Sequence, residues 1–296
     1  MANRTYGILL VTLSAILWST AGPFVRMADL DSWTLIGWRS LFAFLTLLAI
    51  AAYEHRKNLG AAVAGMGSAG AVSVAISTAS TIAYVYALNL TTVANVMIVY
   101  AVLPFIAALI SYVWIGERVG VRLLAAGLVA FAGITMMAGA AASEKDILGI
   151  IAAFVMTATF ASQIVHTKVH PTLDLNVALA LAAGICGLVA LPFMAPGIPS
   201  ATALLACALY GCLTSGIAYV LALVGGRYIS AGESGFIQML DVVLGPFLVW
   251  YFFTEQPEPT VLIGGAIVFT AVVTYLWFES GEQAEIVRQP AAVRPD

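Results

Sequence analysis

Read for apolar runs broken by charge, proline and glycine, the chain divides into ten stretches, at roughly 6–27, 32–53, 63–88, 94–115, 121–141, 147–168, 175–194, 202–224, 233–253 and 260–278. The breaks fall at Asp29 and Asp31, at His55 to Asn58, at Glu117 and Arg118, at Glu144 to Asp146, at Pro196 to Pro199 and at Gln256 to Pro259. Each run matches the ~20 residues that a helix needs to cross a hydrocarbon core about 30 Å thick. The pattern predicts an all-α integral membrane protein of ten transmembrane helices. The first run, Tyr6 to Met27, is longer than the apolar core of a signal peptide and reads as an uncleaved first span. The polar segment 280–296 reads as a disordered cytoplasmic tail.

Two halves are visible in this series. Ile82 to Leu88, in span 3, matches Ile217 to Leu223, in span 8, at six of seven positions. Pro104 to Glu117 covers the same distance as Val242 to Glu255, and the two glutamates close spans 4 and 9. The offset between copies grows from 135 to 138 residues, so the second half carries three more in its 8–9 turn. The halves are 1–141 and 142–279. Because five is odd, the second copy enters the membrane upside down. Inverted repeats of this kind let a carrier exchange the conformations of its halves and expose one central site to each side in turn.

Composition agrees with the count of spans and narrows the function. Hydrophobic residues make up 62% of the 296 and charged residues 9%, too few charges for a water-facing surface. A net charge of −3 and the lack of any basic cluster longer than His55 to Lys57 leave nothing to hold nucleic acid. Cys186, Cys207 and Cys212 lie in apolar runs and read as small buried hydrophobes, not as a disulfide or zinc framework. No phosphate-cradling glycine loop of the Walker type is present, so ATP is not the direct energy source. No cofactor or metal is expected, and the chain is expected to be monomeric. With the N-terminus inside, Arg4, Arg56, Lys57, Arg118, Arg122, Lys168, Arg227, Arg288 and Arg294 are cytoplasmic, nine of the twelve basic residues. Of the other three, Arg26, Arg39 and Lys145, only Lys145 sits in a translocated loop. The positive-inside rule therefore puts both termini in the cytoplasm and the chain in the inner membrane.

Polar groups at membrane depth mark sites or interhelical hydrogen bonds. Ser234, Gln238, Asp241 and Gly245 form one helical stripe on span 9, and Ser73, Ser77, Ser80 or Thr81, and Tyr84 form another on span 3. The repeat pairs Tyr84 with Tyr219, Ser80 with Ser215, Tyr100 with Gln238 and Asn95 with Glu233. Trp18, deeper than the other tryptophans, and Gln163 in span 6 complete the expected binding set of Trp18, Ser80, Tyr84, Tyr100, Gln163, Tyr219, Gln238 and Asp241. Asn95 and Glu233 are expected at a gate or mouth. His166 reads as a solvated helix-end residue. The three lysines all lie at span ends, so a phosphorylated substrate would find no clamp, whereas a zwitterion suits hydroxyls, amides, aromatics and one carboxylate.

Gly7 with Trp18, Arg39, and the span-ending Gly116 and Glu117 resemble the EamA-type branch of the drug/metabolite transporter superfamily, over about 7 to 278. The chain departs from that pattern in span 9, with Leu240, Asp241 and Val242 in place of Leu-Glu-Pro, and with Thr254 before Glu255. The resemblance implies a ten-helix exporter of amino acids and related metabolites, most like the aromatic amino-acid exporters, with spans 1, 3, 4, 6, 8 and 9 around the cavity. It also implies a peripheral span 2 and hence a structural role for Arg39. A gated channel is the alternative. An intramembrane serine protease, suggested by Gly232, Ser234 and Gly235, lacks any histidine after the serine.

Overall fold

Away from water, backbone amides and carbonyls must pair within their own segment, so each apolar run becomes a helix and the polar breaks supply its caps. Asp31 accepts from the amides of Trp33 and Thr34 at 3.1 and 3.0 Å, and Asp174 from Val177 at 3.1 Å. Ser200 accepts from Ala203 at 3.2 Å and Ser230 from Glu233 at 3.0 Å. These caps open spans 2, 7, 8 and 9.

The computed structural model describes residues 2–91, 93–138, 147–253 and 259–288. Numbered as the apolar runs, the helices are Ala2–Ser19 with Ala21–Ala28 (span 1), Ser32–His55 (span 2), Gly67–Leu90 (span 3), Val93–Tyr100 with Leu103–Ile115 (span 4) and Val121–Ala138 (span 5). The second half has Ile147–Val169 (span 6), Leu175–Ala190 (span 7), Ala201–Gly226 (span 8), Ala231–Gln238 with Leu240–Phe253 (span 9) and Pro259–Arg288 (span 10). Among the described residues, seven helices are long and apolar enough to cross a membrane on that basis alone. Shorter apolar helices, Leu103–Ile115, Val121–Met136 and Leu262–Phe278, lie within spans 4, 5 and 10. Span 10 continues to Arg288, nine residues into the segment read as a disordered tail. Glu282, Gln283, Ala284 and Glu285 favour helix, and no proline intervenes before Pro290. Lys145 and Glu255 lie outside the described residues.

Span 2 packs along span 7, span 5 along span 10 and span 4 against span 9, while span 3 packs on span 6 and span 1 on span 8. Exchanging every span for the one five places away leaves this set unchanged, as a repeat requires. Lipid is as apolar as a leucine side chain, so close backbone approach holds such helices together. A Cβ on Gly225 would lie 2.7 Å from Val11 Cγ2 and 2.9 Å from the Gly7 carbonyl oxygen, which locks span 8 to span 1. One on Gly133 would lie 2.8 Å from the Gly264 carbonyl oxygen and lock span 5 to span 10. Leu109, Val113, Phe154, Leu188 and Trp277 point outward, toward the surroundings an apolar side chain prefers.

Candidate functional site

Four of the helices are interrupted, and the interruptions surround one cavity. Pro23 has no amide for the Ser19 carbonyl, and span 1 breaks at Thr20. Pro104 likewise leaves Tyr100 unanswered, and span 4 breaks at Ala101 and Val102. Span 8 widens into a π-helical stretch, Tyr210–Ala218, and span 9 breaks at Met239. Irregular backbone at this depth is tolerated only inside protein or against a cavity. The cavity has a volume of about 210 Å³.

Six of the eight residues expected at the site line it: Trp18, Ser80, Tyr84, Tyr100, Tyr219 and Asp241. Trp18 stands edge-on to Phe160 and Tyr219, with ring centroids 5.5 and 6.1 Å away, and Phe160 and Tyr219 are 5.7 Å apart. Its indole Nε1 donates to the Thr214 carbonyl at 2.8 Å, tying span 1 to the π stretch. Ser80 Oγ donates across to the Met156 carbonyl at 3.2 Å, so this hydroxyl also joins spans 3 and 6. Two of the four repeat pairs, Tyr84 with Tyr219 and Ser80 with Ser215, reach the same cavity from opposite halves. Asp241 begins the second segment of span 9, and its Oδ1 is buried without a hydrogen bond.

Gln163 and Gln238 are not at the cavity. Gln163 donates to Ser73 Oγ at 2.6 Å on span 3, and Gln238 to Ser234 Oγ at 3.2 Å. Both are fully buried, and both side-chain oxygens lack a partner. The stripe from Ser234 through Asp241 assumed a continuous helix, and the break at Met239 separates Gln238 from Asp241. His166 is buried, its Nε2 2.9 Å from the Ala69 carbonyl oxygen, and is not a solvated helix end.

Arg39, expected at the periphery in a structural role, lines the cavity. Only 7% exposed, it donates from a terminal guanidinium nitrogen to Ser215 Oγ at 3.2 Å and lies 5.1 Å over the Tyr210 ring. Gly211 makes this possible, since a Cβ there would sit 2.3 Å from the Arg39 carbonyl oxygen. Tyr210, Phe160 and Thr214 are further lining residues. The signal for Arg39 was its charge inside an apolar run.

A polar network lies at the end of the bundle that carries the N-terminus. Lys168, ending span 6, pairs with Glu117 just past span 4 and donates to the Ile229 carbonyl at 2.8 Å. Glu117 also accepts from Ser111 and from the Ala231 amide at 3.3 Å. Burial pushes the Glu117 carboxyl up, but Lys168, Ser111 and the Ala231 amide outweigh it, and the group stays below its ordinary range. Arg4 of span 1 pairs with Glu233 of span 9. Arg227 donates to the carbonyls of Thr167 and Leu173, each at 3.0 Å. The side chain of Asn95 lies outside the described residues. Along span 6 and along span 9 the buried glutamine falls between the network and the cavity.

The sequence model of the EamA-like transporter family matches the chain twice, over residues 5–139 and 145–277. The chain belongs to the EamA-like transporter family. This EamA-like transporter is a multi-pass membrane protein embedded in the bilayer, and the two matches fall on its two halves. A solved crystal structure of a protein shares the fold at a TM-score of 0.79, with 18% identity over 93% of this chain and 98% of its own. No curated protein matches the chain.

Proposed function

We propose that this EamA-like transporter exports small zwitterionic metabolites, foremost amino acids with aromatic or hydrophobic side chains, across the inner membrane by alternating access. In this reading ten spans form two inverted halves, 1–141 and 142–279, and both termini are cytoplasmic. The observation that carries it is Asp241, a carboxylate with a buried oxygen lacking a hydrogen bond, on a cavity whose lining also brings together aromatic rings, hydroxyls and the Arg39 guanidinium. A carboxylate at mid-depth costs about 2.5–3.5 kcal/mol on insertion scales, and a substrate ammonium would offset it. The aromatic cluster suits an apolar side chain. A phosphate dianion would meet one guanidinium and one opposing carboxylate, a poor match.

In this reading the Lys168–Glu117 and Arg4–Glu233 pairs act as the gate at the cytoplasmic end, and the other end is the route outward. Uptake into proteoliposomes with a panel of labelled amino acids, amines and sugar phosphates tests the reading. Unlabelled phenylalanine or leucine on one side is expected to drive labelled amino acid uphill, which a gated channel cannot do. Exchange of a sugar phosphate with none of any amino acid would overturn the substrate class.

A further inference from the structure

A guanidinium and a carboxyl group stand on the wall of one cavity without pairing with each other. Arg39 is buried, and a guanidinium stays ionised at any physiological pH. It has five N–H donors in a planar fork. Its side chain hydrogen-bonds to the Ser215 hydroxyl, and its charge lies over the Tyr210 ring. Among the described residues no carboxylate pairs with it. Asp241 lines the same cavity with one oxygen buried and unpartnered. Had the two served only to hold helices together, they would have paired, because an unpaired ion in a membrane interior is expensive.

We propose that Arg39 is the carboxylate-binding residue of the cavity, so that the substrate is held by both of its charged ends. The inference rests on the transport of zwitterions proposed above. It adds that the negative end is recognised by a fixed guanidinium and that decarboxylated amines and esters are discriminated against. Ser215 and Tyr210 hold the guanidinium from the side and below, leaving the remaining donors for a bidentate acid group. Both lie in the π-helical stretch, and Gly211 beside them lets span 2 come close enough to put Arg39 there. The cavity then carries no net charge but a fixed separation of charge, and a dipolar ion matches it better than a cation, an anion or a neutral molecule.

The test uses the purified full chain in detergent and matched ligands: phenylalanine, its methyl ester, phenethylamine and 3-phenylpropionate, with the corresponding leucine series beside it. Binding is read by calorimetry and by competition with labelled phenylalanine or leucine. The wild type is expected to bind the amino acid about tenfold or more tightly than its ester or amine, the scale of one charge-assisted hydrogen-bonded contact. In Arg39→Gln that gap should close, with the amine unaffected, and Arg39→Lys should restore part of it. Equal binding of acid, ester and amine by the wild type would overturn the proposal even if Arg39→Gln failed to fold. So would a folded Arg39→Gln that keeps the wild-type preference. If 3-phenylpropionate is the tight ligand and Arg39→Gln loses it, Arg39 is upheld and the zwitterion reading falls. If the amine is the tight ligand, Arg39 is refuted while an ammonium at Asp241 stands. Binding of no member of either series refutes both.

Discussion

Replacing Lys168 with methionine removes the cation facing Glu117 and keeps most of the side-chain volume. The two side chains are 19% and 23% exposed, so the pair is closer to a buried ion pair than to a surface one. Breaking a buried pair costs about 3–5 kcal/mol, and an exposed pair contributes about 0.2–1 kcal/mol. Because Ser111 and the Ala231 amide stay on the carboxylate, the loss should be about 2 kcal/mol. If the pair forms only while this end is shut, the opening equilibrium shifts about thirtyfold, at 1.4 kcal/mol per factor of ten. Ser234 lies fully buried just inside the network. A single cysteine placed there, with Cys186, Cys207 and Cys212 replaced, reports opening through its rate of labelling by a water-soluble maleimide. Lys168→Met should raise that rate about thirtyfold if labelling follows the open population. An unchanged rate with a lower thermal midpoint would mean that the pair supports the fold and gates nothing. The sign of the pH dependence is fixed as well. A carboxyl held below its ordinary 4.5 adds stability above that value and loses it as pH falls through the lower bound-state value. Divided by the rate of a free thiol at the same pH, which corrects for the thiolate fraction, wild-type labelling should be flat across neutral pH and rise only as pH falls below the ordinary carboxyl value.

Three further outcomes are expected. Asp241→Asn keeps shape and removes charge, so apparent affinity for a transported amino acid should fall about tenfold or more in proteoliposome uptake, and unchanged affinity would show that the charge is unused. Gly225→Leu drives side-chain atoms into Val11 and the Gly7 carbonyl, and the thermal midpoint in detergent should drop, reflecting about 1–3 kcal/mol of overpacking; no drop would mean that spans 1 and 8 separate freely. A cysteine at position 145 should be labelled from outside intact cells and one at position 57 spared, and the reverse pattern would invert the assigned orientation.

Helix positions were legible because one constraint dominates: in lipid a run of apolar residues has no alternative to helix, and Asp31, Asp174, Ser200 and Ser230 mark where it starts. The repeat carried the reading further, since Tyr84 and Tyr219 occupy equivalent places and both reach the cavity. Rotation of a helix about its own axis was less legible. Gln238 and Asp241 read as neighbours on one face, yet only Asp241 lines the cavity, while Gln238 bonds back to Ser234. Arg39 was expected at the periphery because the family resemblance implies a peripheral span 2, and nothing in span 2 itself says which side meets span 8; that is decided by Gly211, far along the chain. The π stretch is invisible in composition. Tyr210–Ala218 holds no proline, and its residues would fit an α-helix equally well.

That stretch makes span 8 sensitive to length as well as to identity. Hydrogen bonds from i to i+5 accommodate a surplus residue that an α-helix of the same rise would not hold. Deleting one residue between Gly211 and Leu213 would let the segment relax to α geometry. Everything on its far side, Ala201–Leu209 included, would then turn by about 100° relative to the rest, the rotation of one α-helical residue. Tyr210 would swing away from Arg39 although both side chains were still encoded. Among relatives that keep this cavity, gaps and insertions should therefore gather in the turn after Arg227 and be purged from 210–218, even where substitutions there are common.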